Sequence, residues 1–391
     1  MHITTVPVSL NFFRGQIGYL KEHGFTVSAI SSPGEELDAA AVREEIDLYG
    51  VRMSRGIDPL RDIVSLFRLW RLLRRLRPRI VHSHTPKAAL LGTIAARLTG
   101  TPAVMVSIFG LAQMTRTGLK RKLIDFMTRT SCRLAHRVWC DGDSMRNYLI
   151  EQNLCPAEKV VVLGAGSSNG VDAAGAFNPA RYSRQDRDAL RASYGIPIDV
   201  PVVCFVGRIV ADKGMRELAA AWRRLRVEFP DLRLLIVGPF ESQDPLEPAD
   251  EHLLRNDDRI HLAGMRNDVP LHLASVDVLV NPSYREGFNV ALLEASAMGL
   301  PVVASRIPGC VDPVVEEVTG LLVPKRDSTA LADAIAKYLR DPELRAAHGS
   351  AGRSRTLKSF QPASIWTALE KEYRALVETN APIPQVIPTR A

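Results

Sequence analysis

Two cations flank a short loop between a buried apolar run and a helical pattern. Val202-Val203-Cys204-Phe205-Val206-Gly207-Arg208 leads through Ile209-Val210-Ala211-Asp212 into Lys213-Gly214, and Met215 to Val227 follows with helical spacing. A strand ending in glycine, two cationic side chains and a helix N-terminus together suit a diphosphate. Arg208 and Lys213 can give charge-assisted hydrogen bonds, and the first backbone N–H groups of a helix favour an anion. Taken alone, the segment fits a turn with two solvated charges equally well.

A second strand-loop-helix unit carries acids. Val278-Leu279-Val280-Asn281 runs into Pro282-Ser283-Tyr284-Arg285-Glu286-Gly287-Phe288-Asn289, and Val290 to Ala297 follows. Glu286 stands at the helix entrance and Glu294 about two turns inside. Eight residues at about 100° each bring the second carboxylate nearly back to the face of the first. An acid on the loop can then reach a sugar while one on the helix reaches a ribose. Glu294 sits among Leu292, Leu293 and Ala295, where an unpaired carboxylate is costly and needs a partner.

Loops of this kind need parallel sheets behind them. Short apolar runs alternate with amphipathic helical stretches along almost the whole chain, the pattern of α/β domains with both sheet faces covered. The first half predicts strands at Thr26–Ile30, Ile80–His82, Ala103–Ser107 and Arg137–Cys140. A second series is predicted at Val202–Gly207, Leu232–Val237, Ile260–Leu262, Val278–Asn281, Val302–Ala304 and Leu321–Val323. The expected fold class is α/β, with two doubly wound, Rossmann-like domains at 1–180 and 195–360 and a linker around 175–198. Residues 361–378 form a C-terminal helix that could cross back to the first domain. A Pro-rich tail, 379–391, is expected to be disordered.

The 391 residues are 46% apolar and 24% charged, an ordinary globular balance that excludes general disorder and allows two or three domains at about 150 residues each. The start, Met1-His2-Ile3-Thr4-Thr5-Val6-Pro7, lacks the n- and h-regions of a secretory signal, and no apolar run approaches the roughly 18 residues needed to span a bilayer. Five scattered cysteines, Cys132, Cys140, Cys155, Cys204 and Cys310, contain no C-x-x-C, so a reduced, cytoplasmic setting without disulfides or structural zinc is expected.

Gly207-Arg208 with Lys213-Gly214, and the pair Glu286 and Glu294 in an E-x7-E frame, resemble the retaining GT-B glycosyltransferases of family 4. A narrower resemblance rests on Phe13-Arg14-Gly15-Gln16, Ser31-Ser32-Pro33-Gly34-Glu35-Glu36, His82-Ser83-His84-Thr85-Pro86-Lys87-Ala88 and Gly164 to Asp172. These segments are similar to the bacterial branch that elongates polyprenyl-diphosphate-linked glycans, including α-1,3-N-acetylgalactosaminyltransferases acting on diacetylbacillosamine.

The resemblance implies transfer of a sugar, by preference an N-acetylhexosamine, from a UDP-linked donor to a polyprenyl-diphosphate-linked glycan with retention of configuration. It implies no metal and no cofactor beyond the nucleotide-sugar substrate. Arg208 and Lys213 would clamp the diphosphate, Glu294 would meet the ribose and Glu286 the transferred sugar. Gly207, Gly287, Phe288 and Asn289 would approach phosphate and sugar through their backbones, Arg266 and Asn267 would lie against the base, and Gly15 would face the diphosphate from the first domain. In one respect the chain departs from the family. Family members commonly carry His-Gly where Phe109-Gly110 stands here, which leaves His82 and His84 as candidates for a compensating group.

Two competing readings share the architecture: a sugar-nucleotide 2-epimerase, and a catalytically weak nucleotide-sugar-binding protein. Asp141-Gly142-Asp143 imitates a D-x-D metal clasp, but it follows a first-domain strand while the phosphate machinery belongs to the second domain. His82-Ser83-His84 has no third ligand at suggestive spacing. Gly164 to Gly170 lacks G-x-G-x-x-G spacing, against a nicotinamide site.

The net charge of +7 is unevenly spread. Residues 1–180 hold 23 Lys plus Arg against 15 Asp plus Glu, a net +8, and the remainder is close to neutral. Much of the excess lies on a predicted helix from Asp58 to Arg79, with Asp58 as N-cap and Pro59 at its first position. Its apolar residues include Leu60, Ile63, Phe67 and Trp70, beside Arg68, Arg71, Arg74, Arg75, Arg77 and Arg79. Such a basic amphipathic helix suits an anionic membrane surface, and it suits equally a helix docked on its sheet with solvated arginines. Lys120-Arg121-Lys122 begins a second patch of this type. Few aromatics accompany the arginines and no nucleic-acid motif appears, so nucleic acid is not an expected partner.

Overall fold

The computed structural model describes residues 1–54, 56 and 58–380, without the side chains of residues 35, 36 and 39. The predicted Pro-rich tail falls outside the described residues from 381 onward. Ahead of it the last helix, Pro362–Thr379, runs one residue past its expected end.

The first domain holds β1 (His2–Ile3), β2 (Ser28–Ser31), β3 (Asp47–Gly50), β4 (Ile80–Ser83), β5 (Ala103–Ile108), β6 (Arg137–Cys140) and β7 (Val160–Val162). They form one parallel sheet in the order β3-β2-β1-β4-β5-β6-β7. The second domain holds β8 (Val202–Val206), β9 (Arg233–Val237), β10 (Ile260–Gly264), β11 (Val278–Asn281), β12 (Val302–Ser305) and β13 (Gly320–Val323), parallel in the order β10-β9-β8-β11-β12-β13. In each sheet the order reverses beside the first strand. That reversal opens a crevice at the carboxyl ends of β1 and β4, and of β8 and β11, where ligands of such sheets bind.

Two doubly wound α/β domains were expected, and all six strands of the second sheet were anticipated. The first sheet has three strands more than its apolar runs reveal. β1 is two residues long, β3 is a half-exposed edge, and β7 is a three-residue edge. None gives a long buried run. The stretch expected as a linker contains a helix, Arg184–Ser193, closed by a reciprocal Ser183–Asp186 capping box.

Chain passage between the domains is packed tightly. Val171 N–H donates to Phe360 O at 2.9 Å, and Phe360, fully buried, joins Val171, Phe288, Leu293 and Ala297 in a small apolar cluster. Beyond Phe360 the helix Pro362–Thr379 returns to the first domain. Ile365, Leu369, Tyr373 and Leu376 recur at helical spacing and are buried with Phe13, Leu20 and Trp139. Full burial of each such side chain stabilises by about 1.5–3 kcal/mol, enough to hold a single helix on a foreign sheet.

The helix predicted from Asp58 spans Pro59–Leu76, and Asp58 Oδ1 accepts from Arg61 N–H at 3.2 Å as its cap. Leu69 and Leu73 are fully buried, while Leu60, Ile63, Val64 and Phe67 are exposed. Asp62 pairs with the buried Lys87 at 2.6 Å, tying this helix to Pro86–Leu98, which packs on its other side against Gly118–Leu134.

Candidate active site

At the switch point of the second sheet the two predicted loops abut. Tyr284 N–H donates to Asp212 O at 2.8 Å and Arg285 pairs with Asp212 at 2.6 Å. The Tyr284 hydroxyl donates to Glu217. Gly214, at φ +72°, has no room for a Cβ because the Pro282 carbonyl occupies that space. Glycine is therefore required here both by conformation and by contact.

This contact brings Lys213 to Glu286. Lys213 Nζ lies 2.6 Å from Glu286 Oε1, which also accepts from Ser283 Oγ at 2.6 Å and from Asn289 Nδ2 at 3.4 Å. Ser283 was not singled out in the sequence; its position three residues before Glu286 in the loop is the only signal it offers. Arg208 is elsewhere: its guanidinium pairs with Glu241 at 2.7 Å at the surface. Such a solvent-exposed pair is worth little.

Glu294 lies on the helix Val290–Ala297. It retains some solvent access, yet burial alone pushes its carboxyl up to about 7. No cation or donor among the described residues offsets the desolvation. Among the expected backbone donors of the 287–289 loop, that of Asn289 is already spent, its N–H donating to Gly309 O at 2.8 Å. Phe288 places its ring in the apolar cluster with Phe360. Gly207, at φ +152°, marks the end of β8. Arg266 is exposed and held by Asp268 through two bonds of 2.9 Å, beside the exposed Asn267.

The first domain closes directly on this loop. A Cβ on Gly287 would lie 2.5 Å from the Phe109 carbonyl carbon, so only glycine lets the two backbones meet. Ser144 N–H donates to Asp312 Oδ1 at 3.0 Å, the Ser144 and Asp312 side chains bond directly, and Gly309 N–H donates to Ser144 Oγ at 2.9 Å. Gly15, at φ +80°, is approached by Trp366, whose ring would lie 2.7 Å from a Cβ there. Trp366 Nε1 donates to Asn169 Oδ1 at 2.6 Å and Asn169 Nδ2 to Arg14 O at 3.0 Å, so the C-terminal helix clamps the Gly15 loop. The side of Gly15 on which a Cβ would stand is filled by this helix.

Phe109 turns its ring inward, edge-on to Trp139 at 4.9 Å. His82 and His84 are interior too. They share Ser107 Oγ, at 2.7 Å from His82 Nε2 and 3.0 Å from His84 Nδ1. His82 Nδ1 reaches Tyr373 Oη at 2.6 Å, and His84 Nε2 reaches His2 Nδ1 at 2.8 Å. Spacing along the chain hid His2 as a third neighbour, because β1 and β4 are adjacent only in the sheet. Candidate ligand atoms of the three rings lie within 4.8 Å of one another. Burial holds all three rings well below the usual histidine range. They form a neutral hydrogen-bond chain between the sheet and Tyr373 and do not replace the missing imidazole in the cleft. Asp141-Gly142-Asp143 does not gather two acids: Asp141 is buried and Asp143 exposed. Distance from the second-domain site, however, is no objection, since the charges of Asp312 and Glu286 both act on Asp141.

Comparison with known proteins agrees with this geometry. The family described as "Glycosyl transferase 4-like domain" matches residues 11–166, and that described as "Glycosyl transferases group 1" matches residues 200–341. The chain is 32% identical over 380 residues, 97% of each chain, to the capsular polysaccharide biosynthesis glycosyltransferase CapM of Staphylococcus aureus. It is 26% identical over 299 residues, 74% of this chain and 75% of the other, to an N,N'-diacetylbacillosaminyl-diphospho-undecaprenol alpha-1,3-N-acetylgalactosaminyltransferase of Campylobacter jejuni. In fold it matches Anabaena HepE in complex with UDP, with a TM-score of 0.79 at 18% identity over 96% of this chain and 99% of that one. The 4-like first domain, the group 1 second domain and the near full-length likeness together place the chain in the family of two-domain GT-B glycosyltransferases.

Proposed function

We propose that this glycosyltransferase moves an N-acetylhexosamine from a UDP-linked donor to a polyprenyl-diphosphate-linked glycan, with retention and without a metal, in bacterial surface glycan assembly. The observation that carries the reading is the Lys213–Glu286 pair at the sheet switch point, closed over by Phe109-Gly110. Lys213, with Arg208 released from Glu241, would stabilise charge developing on the leaving diphosphate, and Glu286 would contact the transferred sugar. Glu294 would accept from the ribose hydroxyls. Gly207, Gly287 and Phe288 would approach the phosphates and sugar, and Arg266 and Asn267 the base. The Campylobacter relative, and an Escherichia coli relative named as a UDP-Gal:alpha-D-GlcNAc-diphosphoundecaprenol alpha-1,3-galactosyltransferase, support the lipid-linked acceptor.

A lipid-linked acceptor requires a membrane, and on this reading the first domain would meet it at the cytoplasmic face. Phe67 is 58% and Phe126 65% exposed, on helices that flank Pro86–Leu98. Arg68, Arg71, Arg74 and Arg75 are exposed on the same helix as Phe67. No helix of the described residues is long and apolar enough to cross a bilayer, which fits peripheral attachment. Product analysis with radiolabelled UDP-N-acetylgalactosamine and UDP-N-acetylglucosamine, with and without a polyprenyl-diphosphate-linked sugar, tests the reading. Label extracted with the lipid supports transfer; an epimerised nucleotide sugar formed without acceptor would replace it with the epimerase reading. Binding without turnover on any acceptor would favour the binding-protein reading that Phe109 raises.

A further inference from the structure

The family's imidazole position is apolar here, and its ring is turned into the first domain against Trp139. Neighbouring strands show what stands beside it. β5 and β6 are paired with Ser107 opposite Trp139 and Ile108 opposite Cys140. Phe109 directly follows β5 and Asp141 directly follows β6, so the two stand at the carboxyl ends of adjacent parallel strands.

Asp141 is only 2% exposed, and its Oδ1 has no hydrogen-bond partner among the described residues. A buried carboxyl atom without a partner is rare and costs stability, so its retention asks for a reason. Its backbone is fixed: Asp141 O accepts from Ser167 N–H at 2.6 Å, and Gly166 fits between Asp141 and the Phe288 ring only because it lacks a side chain. The acid is thus held at the seam between the domains, where Glu286 and Asp312 act on it electrostatically. Desolvation first, and these two carboxylates in addition, raise its carboxyl well above the usual range. A neutral carboxylic acid there can both donate and accept.

Resting on the donor-sugar reading above, we propose that Asp141 hydrogen-bonds a hydroxyl or acetamido group of the donor sugar from the first domain, the contact that position 109 does not make. Glu286 would then hold the sugar from the second domain and Asp141 from the first. The donor sugar would complete the hydrogen bonding of Asp141 Oδ1 as the cleft fills.

The test is calorimetric titration of the full-length protein and of its Asp141→Asn and Asp141→Ala forms with UDP, UDP-N-acetylgalactosamine, UDP-N-acetylglucosamine and UDP-galactose, no acceptor being present. The expected result is UDP affinity within two-fold of wild type in both variants. Affinity for the sugar-bearing ligand that wild type prefers should fall at least ten-fold in Asp141→Ala, with partial recovery in Asp141→Asn. Melting temperatures of both variants should equal or exceed that of wild type, since an unpartnered acid is removed. Equal sugar-nucleotide affinities in all three proteins would overturn the role of Asp141 while leaving the donor reading intact. A wild type that binds none of the sugar nucleotides would overturn both. A lower melting temperature with unchanged relative affinities would make Asp141 structural and end the proposal.

Discussion

Lys213 Nζ and Glu286 Oε1 are 2.6 Å apart, with the two side chains only 17% and 12% exposed. The cation assigned to the leaving diphosphate and the acid assigned to the transferred sugar are thus each other's counter-ion when the cleft is empty. On the proposed function, substrate entry would replace this pair, Lys213 turning to the diphosphate and Glu286 to the sugar. The arrangement holds both side chains in position before substrate arrives, so little reorganisation is left for the reaction itself.

Lys213→Ala should lower the turnover of sugar transfer by roughly 10²–10³-fold, the range typical for losing one donor to a developing anion. Glu286 keeps Ser283 and Asn289 as partners in that variant, so folding should survive and the melting curve should shift little. Transfer of radiolabelled sugar beside a thermal melt checks both statements. Near-normal transfer by the variant would remove Lys213 from the site.

On the proposed function, Glu294 should make donor binding depend on pH. Burial pushes its carboxyl up to about 7, and ribose hydroxyls donating to it would favour the ionised form and pull the value down. Nucleotide-sugar binding should therefore release a proton below about pH 7, with affinity rising as pH climbs to that value and flattening above it. A UDP-sugar has no phosphate ionisation in this range to confuse the reading. Glu294→Gln should bind more weakly and with a flat profile. Without ligand the sign reverses: the folded state holds this proton more tightly than the unfolded chain at its ordinary 4.5, so this contribution to stability is present below 4.5 and lost as pH rises through about 7. Calorimetry in buffers of different ionisation enthalpy measures the released proton directly.

Gly287→Ala separates closure from folding. The added methyl would sit 2.5 Å from the Phe109 carbonyl carbon, backbone that cannot move aside without moving its domain. The domains should part, with transfer reduced at least 100-fold and the radius of gyration in solution scattering increased. Each sheet keeps its own core, so circular dichroism should not change. An unchanged scattering profile together with full activity would show that this contact does not set the domain separation.

How much of this was legible in the sequence depended on whether a feature is local. The strand-loop-helix units around Lys213 and Glu286 are local, and their apolar runs are buried on both faces, so the second sheet could be read strand by strand. β1 and β3 could not, because a two-residue strand and a half-exposed edge leave no periodic trace. His2 and His82 are separated by 80 residues yet adjacent in the sheet, and only strand order reveals it. Asp141 was set aside because its strand belongs to the other domain, an argument from chain position that domain closure defeats. The direction of the Phe109 ring and the pairing of Arg208 with Glu241 are packing outcomes that no spacing rule encodes.

The uneven charge of the first 180 residues leads to the last prediction. Arg71, Arg74 and Arg75 are exposed on the helix that also exposes Phe67. At about 1 kcal/mol for each basic residue near an anionic surface, replacing all three by alanine should weaken binding to phosphatidylglycerol vesicles on the order of 100-fold. Phe67→Ser should instead leave the dependence on salt intact while lowering affinity at every salt concentration, because it removes buried apolar area and not charge. Vesicle pelleting of the full-length protein, with neutral phosphatidylcholine as the comparison, reads both effects. Binding indifferent to lipid charge, salt and these substitutions would mean that the arginines are simply solvated and that the acceptor reaches the cleft without this helix.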